Sequence, residues 1–241
     1  MSQLELSQVT DAETPDSRWK SLYKIGGAAA LIMVMIIPLQ VIVFTVSPPP
    51  TTVIGWFTLF QTNKLLGLLS FELLFIVYGA LSIPLSLALY IALRRTNQSF
   101  TAIYLALSLV GVAALFVARP AFDMLYLSGQ YAGATTDAQR TTFLAAGETM
   151  LALFHGTAFQ VSYVLGSITG LIISFVMLRS NIFSKKIAYI RIISSVLDFG
   201  IYVPTIGIFI STFSVVLLMV WNVLIARRFF QLGHSEPDGT F

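Results

Sequence analysis

The chain has 241 residues, 56% of them hydrophobic and 10% charged, with 14 Lys and Arg against 11 Asp and Glu. Soluble domains carry roughly 25% charged residues, so this charge is too sparse to solvate a globular surface, and the mean hydropathy is +0.84. With no cysteine and two histidines, and with a net charge of +3 spread over the ends of apolar runs, the sequence excludes disulfides, thiolate metal or iron–sulfur sites, paired-histidine haem ligation and a nucleic-acid-binding patch.

The expected class is therefore all-α: a polytopic membrane helix bundle with the lipid bilayer as its partner and no cofactor. Residues 1–24 are polar and mixed in charge and read as a disordered cytoplasmic tail. They are not a signal peptide, which needs a basic start and a short apolar core. A helix must offer about 20 apolar residues to cross roughly 30 Å of hydrocarbon. A transmembrane domain over 25–230 is read on that basis, with spans at 25–46, 65–93, 101–119, 157–178, 187–203 and 205–226 and a polar tail at 231–241. The last two spans divide one long apolar stretch at Pro204, because proline removes a backbone donor and clashes with the preceding turn.

Six spans with both termini cytoplasmic put Arg18, Lys20, Lys24, Arg94, Arg95, Arg179, Lys185, Lys186, Arg191, Arg227 and Arg228 inside and only Lys64, Arg119 and Arg140 outside. That bias agrees with the excess of Lys and Arg in cytoplasmic loops. Trp19, Trp56 and Trp221 are expected at the membrane interfaces.

Two outer segments have structure of their own. Pro48–Pro50 stop the first span, and Thr51 or Thr52 is placed to cap a short helix carrying Trp56, Phe57 and Phe60 into the headgroup zone. In the segment 119–147, Thr136 and Gln139 have capping-box spacing, and the helix they start is expected to run into span four with a bend at Gly147 or Gly156.

Asp198 stands out among the polar residues, because a carboxylate near the midplane is costly and marks either a permeation path or an interhelical tie. Ser194 and Tyr202, one turn to either side, are its nearest candidate partners, and no second midplane acid accompanies it. Glu72 falls at the outer headgroup level and reads as a solvated interfacial carboxylate. His155 and Glu148 lie seven residues apart on one helix face, and with Arg119 and Asp123 they outline an external polar cluster. That set is poor in metal ligands, so no metal is expected. Pro38 and Pro84 fall within spans one and two and are expected to kink them for packing.

Ala158, Ser162, Gly166, Gly170 and Ser174 recur every four residues along span four as a small-residue ridge for close helix packing, within the chain or with a second membrane helix. Walker A, dinucleotide, HExxH and GxSxG motifs are absent, and neither half of the chain repeats the other.

Five blocks carry a family resemblance: PPPTTVIGWFTLFQTNKLLGLLSFELL (Pro48–Leu74), LYIALRRTNQSF (Leu89–Phe100), LSGQYAGATTDAQRTTFLAAGE (Leu127–Glu148), FVMLRSNIFSKKIAY (Phe175–Tyr189) and LIARRFFQLG (Leu224–Gly233). They are similar to a DUF-type group of bacterial integral membrane proteins, a domain of unknown function. The resemblance implies a six-span layout and a bacterial inner-membrane location, and it brings no activity and no catalytic residue.

The leading expectation for function is a non-enzymatic accessory or interaction component, self-associating or partnered through span four. The alternative is a small proton-linked or small-solute transporter or channel using Asp198. A third is an outer-face enzyme built on His155, Glu148 and Asp123, and scattered acids around one histidine do not make the paired groups that acid–base chemistry requires.

Overall fold

The computed structural model describes residues 17–234, and of the tails expected at 1–24 and 231–241 the parts 1–16 and 235–241 lie outside the described residues. Among the described residues the chain is all-α with no strand. Ten helices follow in order: α1 (Lys20–Val46), α2 (Val53–Thr62), α3 (Lys64–Ser70), α4 (Leu73–Leu93), α5 (Gln98–Val117), α6 (Ala121–Gly133), α7 (Asp137–His155), α8 (Thr157–Leu178), α9 (Lys185–Asp198) and α10 (Gly207–His234). Single 3-10 turns precede α1 (Ser17–Trp19) and follow α9 (Phe199–Tyr202).

Five helical stretches among the described residues are long and apolar enough to cross a membrane: Lys20–Val46, Leu73–Leu93, Gln98–Gly133, Asp137–Leu178 and Gly207–His234. The sixth expected span, 187–203, is present as the 14-residue α9 and its 3-10 turn. It is shorter than the roughly 20 residues a crossing takes, because the α-helix ends at Asp198 before Pro204 is reached.

Other boundaries also move. α1 begins at Lys20 and α10 runs to His234, so helix replaces the inner parts of both expected tails. The expected span 65–93 is two helices, α3 and α4, parted at Phe71–Glu72. Pro38 and Pro84 sit inside helices that continue through them.

Local chemistry sets several of these ends. Thr52 caps α2 by accepting from the Gly55 N–H at 3.2 Å, and Asn63 caps α3 by accepting from the Leu66 N–H at 3.0 Å. The capping box is formed: the Gln139 N–H donates to Thr136 Oγ1, and Gln139 Oε1 accepts from the Thr136 N–H. α7 gives way to α8 at Gly156, one of the two expected bends. Gly147 does not bend the helix.

The chain divides into two compact units. The first takes the residues up to Val34, Leu81–Gly111 and Val164 onward; the second takes Met35–Ala80 and Val112–Tyr163. α1, α4, α5 and α8 each pass from one unit into the other partway along their length.

In the first unit, Tyr23 stacks on Phe229 at 5.7 Å between ring centroids, and Phe183 meets Phe229 edge-on at 5.9 Å. Leu89, Leu93, Met177 and Ile225 are fully buried, and α9 lies along α10. Arg228 Nε donates to the Ile182 carbonyl at 2.6 Å, tying α10 to the turn before α9.

In the second unit, α2 packs on α6 and α7 over a core of Val53, Trp56, Phe57, Phe60, Phe71, Ala121 and Met124. Trp56, Phe57 and Phe60 are 4%, 1% and 0% exposed, so they face a protein core and are not open to lipid headgroups. The two connecting segments bury their aromatic faces against each other, which removes more apolar surface from water than an interface does. Ser128 Oγ reinforces the pairing by donating to the Phe57 carbonyl at 2.9 Å. Trp221 is likewise buried, and Trp19 alone of the three tryptophans is exposed.

Gly147 is the point of closest approach between α7 and α2, where a Cβ would collide with Val53 and Phe57. Gly147→Leu is expected to destabilise the second unit by about 1–3 kcal/mol through overpacking. Gly133→Ala, which has open space beside it, is the control. Thermal unfolding in detergent compares the two, and equal melting temperatures would show that the helices are not in contact there.

Candidate functional site

Two charged centres lie in the apolar body of the protein, one in each unit. In the first unit, Asp198 ends α9, and its carboxylate takes hydroxyl donors from the helices on both sides. Ser214 Oγ of α10 donates to Oδ1, and Ser167 Oγ of α8 lies 3.4 Å from Oδ2. The Arg191 Nη1 atom stands 3.9 Å from Oδ2. Arg191 precedes Asp198 by seven residues, two turns of α9, so helical periodicity puts both on one face.

The guanidinium has other partners. Nη2 donates to the Gly166 carbonyl of α8 at 3.2 Å, Nη1 reaches Ser194 Oγ at 3.4 Å, and the group lies over the Trp221 ring at 5.4 Å. A side chain at Gly170 would meet both Arg191 and Ser195, so the missing Cβ is what lets α9 bring its polar face against α8. Ser194, expected beside Asp198, instead donates to the Ser214 carbonyl at 3.0 Å. α9 and α10 bury further polar atoms that have no hydrogen-bond partner: Ser195 Oγ, Ser211 Oγ and both side-chain polar atoms of Asn222.

Charge bias counts Arg191 among the cytoplasmic basic residues, and the structure sets it beside Asp198. The seven-residue spacing, two helical turns, is the one sequence signal from which the pair could have been found.

In the second unit, Glu72 is not solvated. Its carboxylate lies 2.6 Å from Arg119 Nε, and both side chains are largely buried. The rest of the guanidinium is also enclosed: Nη1 donates to the Ala118 carbonyl at 3.0 Å and approaches the Phe154 carbonyl at 3.4 Å. The Phe154 and Phe159 rings lie 4.5 Å and 5.1 Å from its carbon. Burial pushes the Glu72 carboxyl, which precedes the spanning helix α4, above the usual carboxylate range; Arg119 and, more weakly, His155 pull it back.

Glu72 has a φ of 61°, the left-handed region that a non-glycine residue seldom adopts. That conformation ends α3 and lets α4 start at once, and the ion pair holds it there.

The remaining candidates are dispersed. Asp123, Glu148 and His155 are exposed on α6 and α7, with the His155 ring edge-on to Phe154 at 4.9 Å. Among the described residues no three His, Asp or Glu side chains are grouped to hold a metal ion. The small-residue ridge is not one uniform face. Gly170 and Ser174 are buried, Ala158 and Ser162 are half-buried, and Gly166 is exposed with open space beside it. A four-residue step overshoots the roughly 3.6-residue turn, so a row with that spacing winds around the helix.

Arg119→Ala leaves Glu72 buried without a counter-charge and is expected to cost about 3–5 kcal/mol. The double variant Glu72→Gln with Arg119→Gln should recover most of that loss. Thermal unfolding of wild type, Glu72→Gln, Arg119→Gln and the double variant in one detergent gives the coupling, and strictly additive losses would mean the pair does not act as a unit. No protein-family model matches the chain, and no curated protein or solved structure does so either.

Proposed function

We propose that the chain is a multi-pass integral membrane protein that serves as a non-enzymatic accessory or interaction component. The observation that carries this reading is the pairing of charge. Among the five acidic residues described, the two that are withdrawn from the surface, Glu72 and Asp198, each stand beside an arginine and take part in ties between helices. A carboxylate whose oxygens are engaged by neighbouring helices joins those helices, which supports a structural role for it.

Orientation follows from the distribution of charge. Eleven of the 14 Lys and Arg residues belong to the first unit. By the positive-inside bias the helix ends that carry these residues face the cytosol. Six passages, with α9 and α10 as the last two, return both termini to that side. The sequence resemblance adds a bacterial inner membrane as the location. The exposed, unobstructed Gly166, with Ala158 and Ser162 half-buried on the same helix, supports a second membrane helix or a second copy as the partner at α8.

One observation favours a different reading, a transporter or channel for protons or a small solute. The 3.9 Å separation of Arg191 and Asp198 is loose, and unpartnered buried polar atoms on Ser195, Ser211 and Asn222 belong to the same helices. Such groups are the usual partners of buried water.

Liposome reconstitution separates the two readings. The accessory reading expects wild type and Asp198→Asn to leave an imposed pH gradient equally intact. A gradient that wild type dissipates and Asp198→Asn does not would replace it with the transporter. Reporters fused before Met1 and after Phe241 are both expected on the cytosolic side, and opposite sides would overturn the even number of passages.

A further inference from the structure

Three connections reverse the chain away from the basic ends of the long helices, and they differ in the charge they carry. The two in the second unit bury the α2 aromatics in a core of their own and set their exposed apolar side chains, Phe122 and Tyr126 on α6 among them, between charged and polar residues. Trp56, Phe57 and Phe60 are buried there, and outside the buried Glu72–Arg119 pair the charged and polar residues such as Gln61, Asp123, Arg140 and Glu148 are exposed. The α9–α10 hairpin exposes apolar side chains at its tip with no charged residue among them. Ile201, Tyr202, Val203, Ile206, Ile208 and Phe209 are 36–74% exposed. No charged residue occurs between Asp198 and Arg227. A tip of this composition standing in water would lose the favourable burial that the other two connections obtain.

The backbone of the tip is also suited to an apolar medium. Irregular backbone is excluded from hydrocarbon where its polar groups lack partners. Here the Val203 N–H donates to the Gly200 carbonyl at 2.8 Å, the Ile206 N–H to Pro204 at 2.8 Å and the Gly207 N–H to Val203 at 3.0 Å. The Phe209 and Ile210 N–H groups both donate to the Ile206 carbonyl, and Pro204 has no N–H to satisfy. The reversal therefore meets much of its own hydrogen-bonding demand without water.

Its reach agrees. Lys186 to Asp198 covers about 18 Å of α-helix, and the four-residue 3-10 turn adds about 8 Å. On the other arm, Arg227 back to Gly207 covers about 30 Å. Tilting by an average of about 20° shortens both, against roughly 30 Å of hydrocarbon. Arms anchored by Lys185, Lys186, Arg227 and Arg228 at one face bring the tip to the far edge of the hydrocarbon and no further.

We propose that α9 and α10 form an intramembrane hairpin whose tip, 201–209, rests among lipid acyl chains and does not surface in water. This rests on the reading of the chain as an integral membrane protein. It alters that reading at one point, since the chain then emerges on the far side only at the two connections of the second unit. The Arg191–Asp198 pair, with its hydroxyl donors on α8 and α10, is the polar lock inside the hairpin.

The absence of native cysteine makes the test direct. Ile206→Cys places one thiol at the tip, with Phe209→Cys as a second tip variant. Gly133→Cys, exposed with open space around it at the end of α6, is the aqueous control. In sealed vesicles of either orientation, a membrane-impermeant maleimide is expected to label position 133 from one side and neither tip position from any side. Detergent should then expose both tip thiols. A bimane label at position 206 is expected to lose most of its fluorescence to nitroxide-bearing phosphatidylcholine.

Labelling of either tip position by the impermeant reagent in sealed vesicles overturns the hairpin, because the tip is then in water. Failure of lipid nitroxide to quench, or disulfide-linked dimers through position 206, overturns it in favour of a protein cover. Release of the wild-type chain by alkaline carbonate is a separate result that removes the membrane reading itself.

Discussion

The second unit depends on one guanidinium. Arg119 lies where three interruptions of the helical chain meet: Glu72 between α3 and α4, Arg119 itself between α5 and α6, and Phe154 just before the α7–α8 break at Gly156. Each break leaves carbonyls without intrahelical donors. Arg119 donates to two such carbonyls and neutralises the carboxylate at the third break, while two aromatic rings shield it from solvent. A lysine has neither the planar fork nor the stacking surface to do this. The left-handed backbone at Glu72 belongs to the same arrangement. Such a conformation persists only where its surroundings over-determine it, and the short contact to Arg119 supplies that constraint.

The first unit meets the same problem with a different composition. Its charge pair is looser, and hydroxyls do much of the bonding: Ser167, Ser194 and Ser214 connect α8, α9 and α10 around Asp198 and Arg191. Small side chains serve twice here. Serine brings a donor and takes little room, and Gly170 removes the last obstacle to contact between α8 and the polar face of α9. The result is a polar seam inside an apolar bundle. The same seam supports two functional readings, because hydroxyls that join helices are also the groups water would follow.

Chain-local features were legible from residue order. Thr52 and Thr136 cap their helices because a hydroxyl next to a helix start has few other partners as good as the free N–H groups two or three residues on. Pro48–Pro50 follow the end of α1 for another local reason, since proline has no N–H to donate and disfavours helix in the residue before it. Features that depend on a distant partner were misread. Trp56, Phe57 and Phe60 look like an interfacial anchor until α6 and α7 are present to cover them. Glu72 looks solvated until Arg119 reaches it. Arg191 looks like a loop cation until α9 is seen to be a helix that ends at Asp198. The small-residue row on α8 looks like one face only if the drift of a four-residue period is ignored.

Sequence alone determined that this is an all-α chain whose long helices suit hydrocarbon, and where its basic residues fall along them. Those properties follow from run length and composition, which are sums over neighbouring residues. Tertiary structure decided which charges are buried and what each one meets. An ion pair such as Glu72–Arg119 joins helix breaks that are far apart along the chain, and nothing in the local pattern around either residue specifies the other. In a medium that cannot solvate an isolated charge, the partner decides whether a carboxylate is an exposed ornament, a tie between helices or a step on a path.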